Sequence, residues 1–154
     1  MVLLGATGRA QGVLFSLRVG LLLSWRFMMG LARVGFFREL AHGMPSGLSL
    51  GECLRESGIP DEARIVGYLN GGATLAATGS MVNDYFDGTK QAIAPLEIAT
   101  DGSWVWPRDL AYYVRQYHAV LPEEFVEHMR RDGWKPSKFT REEMERLETE
   151  YLMS

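Results

Sequence analysis

From residue 49 onward the spacing of apolar positions switches between the helical and the strand period, with Gly, Pro and capping residues at each switch. Ser49 and Glu52 have the spacing of a capping box and predict a short helix to about Ser57, stopped by Gly58. Pro60, Asp61 and Glu62 suit the first turn of a second helix, whose buried stripe is Ile65, Val66 and Leu69. Asn70-Gly71-Gly72 ends it, because these residues accept positive φ at little cost.

A strand is predicted over Ala73–Thr78, followed by a polar connection over Asn83–Lys90 with an Asp87-Gly88 turn. A second strand covers Ala92–Thr100, with Pro95 placing its first half at a sheet edge. Thr100-Asp101-Gly102-Ser103 reads as a hairpin turn into a third strand, Trp104–Trp106. The alternation puts both indoles on one face and Val105 on the other.

Pro107 is read as opening a helix to about Ala119, with Leu110, Val114, Tyr117 and Leu121 on its inner face beside Tyr113. Arg108, Tyr112, Arg115, Gln116 and Ala119 face away. Pro122 opens a further helix that packs through Phe125, Val126 and Met129 and stops at Gly133. Thr140 and Glu143 form a second capping box before a terminal helix with a narrow stripe of Met144, Leu147 and Tyr151 and a Glu142–Arg146 pair. The expected fold is α+β: a small antiparallel sheet of about three strands packed with four to five helices, as one domain over residues 36–154.

Residues 1–35 are a different kind of sequence. Gly12–Phe37 is mostly apolar, but Arg18, Arg26 and Arg33 interrupt it, too closely for a spanning helix of roughly 20 uncharged residues. On a helix at about 100° per residue the three arginines share one arc, which suits an interfacial helix touching a membrane through residues 13–37. Val19–Trp25 is a minimal signal-like stretch with no clear cleavage site after it. The alternatives are a segment packed on its own domain, or a dispensable extension preceding a start at Met28 or Met29. A chain beginning at Met29 separates them.

Charge sharpens the contrast. Residues 1–38 carry five arginines and no acid, whereas residues 39–154 hold 11 basic and 19 acidic residues, a net of -8. An acidic body disfavours nucleic acid, which requires clustered Lys and Arg, and suits a basic protein partner. The single Cys53 excludes an internal disulfide and makes a reducing cytoplasm the simplest compartment.

No reaction is written in the motifs. Glu124 and His128 lie four apart, but no third zinc ligand joins them, so they read as a surface pair, and no metal or cofactor is expected. Cys53 has no local base or positive charge and reads as a buried structural thiol. The glycine turns at 70–72, 79–80 and 87–90 lack Walker or dinucleotide spacing. Asp84, Asp87, Asp101 and Asp109 fall near the sheet ends, where paired carboxylates could do acid–base work if they converged. Against that stands a binding face. Trp104, Trp106 and Tyr112, ringed by Asp84, Asp87 and Asp101, have the composition of a protein-binding hot spot, although two alternate tryptophans beside a helix are more usually the core under that helix; Tyr112, on the polar side of the helix, suits the surface better.

Three segments carry a resemblance: Phe36-Phe37-Arg38-Glu39-Leu40, the run from Asp61 to Leu69, and Thr100 to Val114 with Leu121-Pro122-Glu123-Glu124-Phe125. From about Phe36 to Trp134 the chain resembles a group of small uncharacterised proteins of actinobacteria, which implies no activity and no catalytic residue. Its size and acidity are also similar to those of the immunity partners of secreted toxins. The expected function is therefore a non-enzymatic protein-binding module of a toxin-neutralising or regulatory kind; the alternative is a small enzyme or ligand binder using the loop aspartates beside the tryptophan pair.

Overall fold

The computed structural model describes residues 30–154. The arginine-faced helix, the Val19–Trp25 stretch and the starts at Met28 or Met29 lie outside the described residues. Within them the chain forms an α+β fold built on a four-stranded mixed sheet of order β1-β4-β3-β2. The strands are β1 (Ala32–Arg33), β2 (Ala73–Val82), β3 (Ala94–Thr100) and β4 (Trp104–Pro107). Four α-helices accompany them: α1 (Glu62–Gly71), α2 (Leu110–Tyr117), α3 (Glu123–Arg131) and α4 (Arg141–Met153). The β2–β3 and β3–β4 pairs are antiparallel. The fourth strand is new: β1 pairs parallel with β4, Ala32 opposite Trp104 and Arg33 opposite Val105. Leu31, Val34, Phe36 and Phe37 around it are buried. Residues 31–37 are thus strand and buried loop, not the tail of a helix, and two paired residues are too few for a period to show.

The β3–β4 hairpin turns where expected. Gly102 takes φ +91° at its corner. The Asp101 carboxylate accepts from the Ser103 and Trp104 N–H groups at 2.9 and 2.8 Å, and the Thr100 hydroxyl donates to the Trp104 carbonyl at 2.8 Å. From this corner Trp104 and Trp106 enter one face of the sheet and Val105 the other. On the tryptophan face, Phe125 of α3 sits among the rings of Trp104, Trp106 and Tyr68, at centroid distances of 4.8, 5.5 and 6.3 Å. Full burial of an aromatic of this size contributes about 1.5–3 kcal/mol. On the opposite face, Leu75, Ile98 and Val105 meet Met144, Leu147 and Tyr151 of α4. The Thr140–Glu143 capping box that starts α4 is present in both directions; the ion pair along this helix is Arg141–Glu145, not Glu142–Arg146.

Three local expectations are corrected. Pro107 does not open a helix. It still pairs with Ile98, and the Arg108 N–H donates to the Glu97 carbonyl, so the strand continues and α2 begins only at Leu110. Arg108 does not face away: its guanidinium donates to the carbonyls of Leu69, Asn70 and Gly72, satisfying the C-terminal orphan groups of α1. Ala119 is likewise buried. Finally, Ser49 and Glu52 do not cap a helix. Only a 3-10 turn forms, at Gly51–Cys53, and the Ser49 hydroxyl donates to Glu39 at 2.6 Å.

Gly72 closes α1 for a reason other than positive φ. Its φ is -60°, and a Cβ there would lie 2.4 Å from Cζ2 of Trp106. The glycine makes room for the indole, whose Nε1 donates to the Leu69 carbonyl at 3.0 Å.

Candidate functional site

The loop between β2 and β3 carries the largest cluster of exposed aromatic surface among the described residues. It is built from one carboxylate outward. Asp84 is 4% exposed. Its Oδ1 accepts from the backbone N–H groups of Phe86 and Asp87, and its Oδ2 from the hydroxyls of Tyr112 and Tyr117 at 2.6 and 2.5 Å. The Tyr85 N–H donates to the hydroxyl of Tyr113, and the Asp84 N–H to the Lys90 carbonyl. Asp87 folds back on Thr89 and pairs with Lys90. The loop therefore has a defined shape although it projects Tyr85 and Phe86, which are 52% and 42% exposed. Phe86 lies against Tyr117 at 4.9 Å and Tyr85 at 5.2 Å.

The electrostatics follow from the bonding. Burial pushes the Asp84 carboxyl up, but the two tyrosine hydroxyls and two N–H groups outweigh it and hold the group below the usual carboxylate range. Burial, then the bond to Asp84, pushes the Tyr112 hydroxyl up, while for Tyr117 the bond to Asp84 comes first. Burial pushes Tyr113 up to about 12. At neutral pH the cluster is one carboxylate held by neutral phenols, an arrangement that orients rings and leaves no carboxylate lone pair directed at a reactant.

The residues singled out in the sequence are distributed otherwise than a ringed tryptophan hot spot requires. Trp104 and Trp106 are 8% and 0% exposed and belong to the core under α1 and α3, so neither indole offers a surface to a partner. Asp101 is buried with them. Its Oδ2 accepts from the Tyr68 hydroxyl at 2.8 Å and from His128 Nε2 at 2.9 Å, tying the hairpin corner to α1 and α3. Burial raises its pKa, but the bonds from His128, Trp104, Ser103 and Tyr68 prevail and lower it. His128 is therefore a core residue, not half of a surface pair with Glu124. Tyr112 is half-buried and acts as a buttress; Asp84 and Asp87 shape the loop. Asp109 pairs with His42. Asp101 and Asp109 each sit in a network separate from that of Asp84, whereas Asp87 shares the Asp84 loop, its N–H bonded to Asp84.

Among the described residues no group of three or more His, Cys, Asp and Glu side chains could hold a metal. Cys53 is partly buried, and burial followed by the charges of Glu52 and Glu39 pushes its thiol up, away from the reactive thiolate. No described helix is long and apolar enough to cross a membrane.

Tyr85 and Phe86 are not marked in the sequence as site residues, and Tyr117, placed on the inner face of its helix, instead supports the loop through Asp84 and Phe86. The available signal was an aromatic doublet inside the polar run Asn83–Lys90, bracketed by Asp84 and Asp87. No family model matches the chain, and no curated protein or solved structure is significantly similar to it.

Proposed function

We propose that this protein is a non-enzymatic binding module that docks a protein partner through the β2–β3 loop. The observation that carries this reading is the hydrogen-bonded presentation of Tyr85 and Phe86: a nearly enclosed carboxylate accepts four hydrogen bonds that tie the turn bearing them to α2. Exposed aromatics held in one geometry lose little conformational freedom on binding, which is what a hot spot requires. Phenols and a loop carboxylate at the margin supply the polar rim. The acidic body favours a basic partner, in keeping with a toxin-neutralising or regulatory role in the cytoplasm.

The test is quantitative affinity capture from the cells that make the protein. Wild type, a Tyr85→Ser/Phe86→Ser double variant and a Leu152→Ser control on the exposed end of α4 are compared. Wild type and control retain the same specific partner, and the double variant loses it while keeping its thermal midpoint. A double variant that captures the partner as well as wild type contradicts the assignment.

A further inference from the structure

Helix α4 is attached to the fold differently from the other three helices, and independently of the aromatic loop. Helices α1, α2 and α3 each drive an aromatic side chain into the core, where Tyr68, Tyr113 and Phe125 are all 0% exposed. Helix α4 fully buries none of its 13 residues. Its Met144, Leu147 and Tyr151 are only half-buried, against Leu31, Leu75, Ile98 and Val105 on the second face of the sheet.

Its polar contacts stay almost wholly within itself. The Thr140–Glu143 capping box and the Arg141–Glu145 pair are local, and among the described residues no glutamate of α4 pairs with a cation outside the helix. One side chain of the body reaches across to it. Arg33 on β1 lays its guanidinium over the Tyr151 ring at 4.9 Å and donates to the Ser154 hydroxyl at 3.0 Å. Among the described residues, that is the one hydrogen bond between residues 140–154 and the rest of the chain. The segment before the helix, by contrast, packs on the body. A Cβ on Gly102 would lie 2.8 Å from the Phe139 ring, and one on Gly71 would lie 3.0 Å from Pro136. The change from seated chain to lightly held chain therefore falls between Phe139 and Thr140.

We propose that α4 is a strap, hinged between Phe139 and Thr140 and latched by Arg33, that leaves the sheet as one unit while the rest of the fold stays closed. Elements with few buried contacts open at lower free energy than the core, and they open cooperatively. Release bares Leu31, Leu75, Ile98 and Val105, the apolar strip that α4 covers. A helix of 13 residues is marginal alone in water, so release also melts it and frees its amides. The device is a reversible cover over the sheet face opposite the one that α1 and α3 close.

The experiment is native-state amide hydrogen exchange of the full chain, followed by NMR in urea below the unfolding midpoint. The amides from Glu145 to Tyr151 are expected to share one opening, with a urea slope above zero but below that of global unfolding. Their protection should be at least about 100-fold lower than that of β3 and β4. Arg33→Met keeps an aliphatic stem but removes the charge and the donors. It lowers α4 protection by a further factor of roughly 3 to 10 and leaves β3 and β4 unchanged. If Arg33→Met does not fold, Leu147→Ala, which removes a contact from the helix side, supplies the same comparison. Three results overturn the proposal: α4 amides that exchange with the protection and slope of β3, α4 amides that exchange one by one with no urea slope, or a folded variant whose α4 protection equals that of wild type.

Discussion

At the scale of single residues, a position that accepts only glycine can be set by a close contact as well as by backbone freedom. Gly72 is the clearest case. An alanine Cβ at 2.4 Å from the Trp106 ring must displace an indole that is fully buried and bonded through Nε1. Gly72→Ala is expected to lower stability by about 1–3 kcal/mol, the usual cost of overpacking, read as a fall in the urea midpoint at unchanged slope. A Gly71→Ala control, at an exposed position whose Cβ would meet only Pro136 at 3.0 Å, costs less. Glycine at 72 was legible in the sequence as a helix stop, but its reason was not: the indole comes from residue 106, and nothing local records that approach.

At the scale of elements, what the sequence revealed divides by the range of the interactions involved. The hairpin at 100–103 and the capping box at Thr140 use partners within four residues, so residue type and spacing suffice to find them. The Ser49–Glu52 pair has the same spacing, but the Ser49 hydroxyl and the Leu50 N–H are taken by Glu39, ten and eleven residues back. Strand β1 is two residues long and pairs with a partner 72 residues away. The placement of the tryptophan pair has a related limit. Alternation shows that Trp104 and Trp106 share a face; it does not show that α3 covers that face. Tyr85 and Phe86 are not legible in the sequence, because a polar loop conceals which of its side chains the carboxylate props outward. The cap itself is testable: Thr140→Ala removes the bond to the Glu143 N–H and is expected to cost about 0.5–2 kcal/mol. The loss appears as faster amide exchange in the first turn of α4.

At the scale of the whole molecule, distant segments are joined by carboxylates. All three histidines pair with an acid far along the chain: His42 with Asp109, His118 with Glu62 and His128 with Asp101. Asp101 and Asp84 each organise a network, and in both the folded state holds the carboxyl below its ordinary value. The unfolded chain then binds protons first as pH falls, so this stabilisation is complete above the ordinary carboxylate value of about 3.9 and drains away below it. Urea midpoints should hold from about pH 7 to about pH 5 and drop steeply toward about pH 3. Asp101→Asn lowers the neutral-pH midpoint and flattens that acid limb; an unchanged acid limb would show that Asp101 carries no such linkage.

A docking role for Tyr85 and Phe86 requires a loop that is exposed and yet rigid, and backbone ¹⁵N relaxation reads this without any partner. Wild-type order parameters over Tyr85, Phe86 and Asp87 should match those of β3, near about 0.85, and Asp84→Ala should lower them below about 0.6 while the sheet stays ordered. Wild-type values already below about 0.6 would contradict the claim that Asp84 holds these two rings ready for a partner.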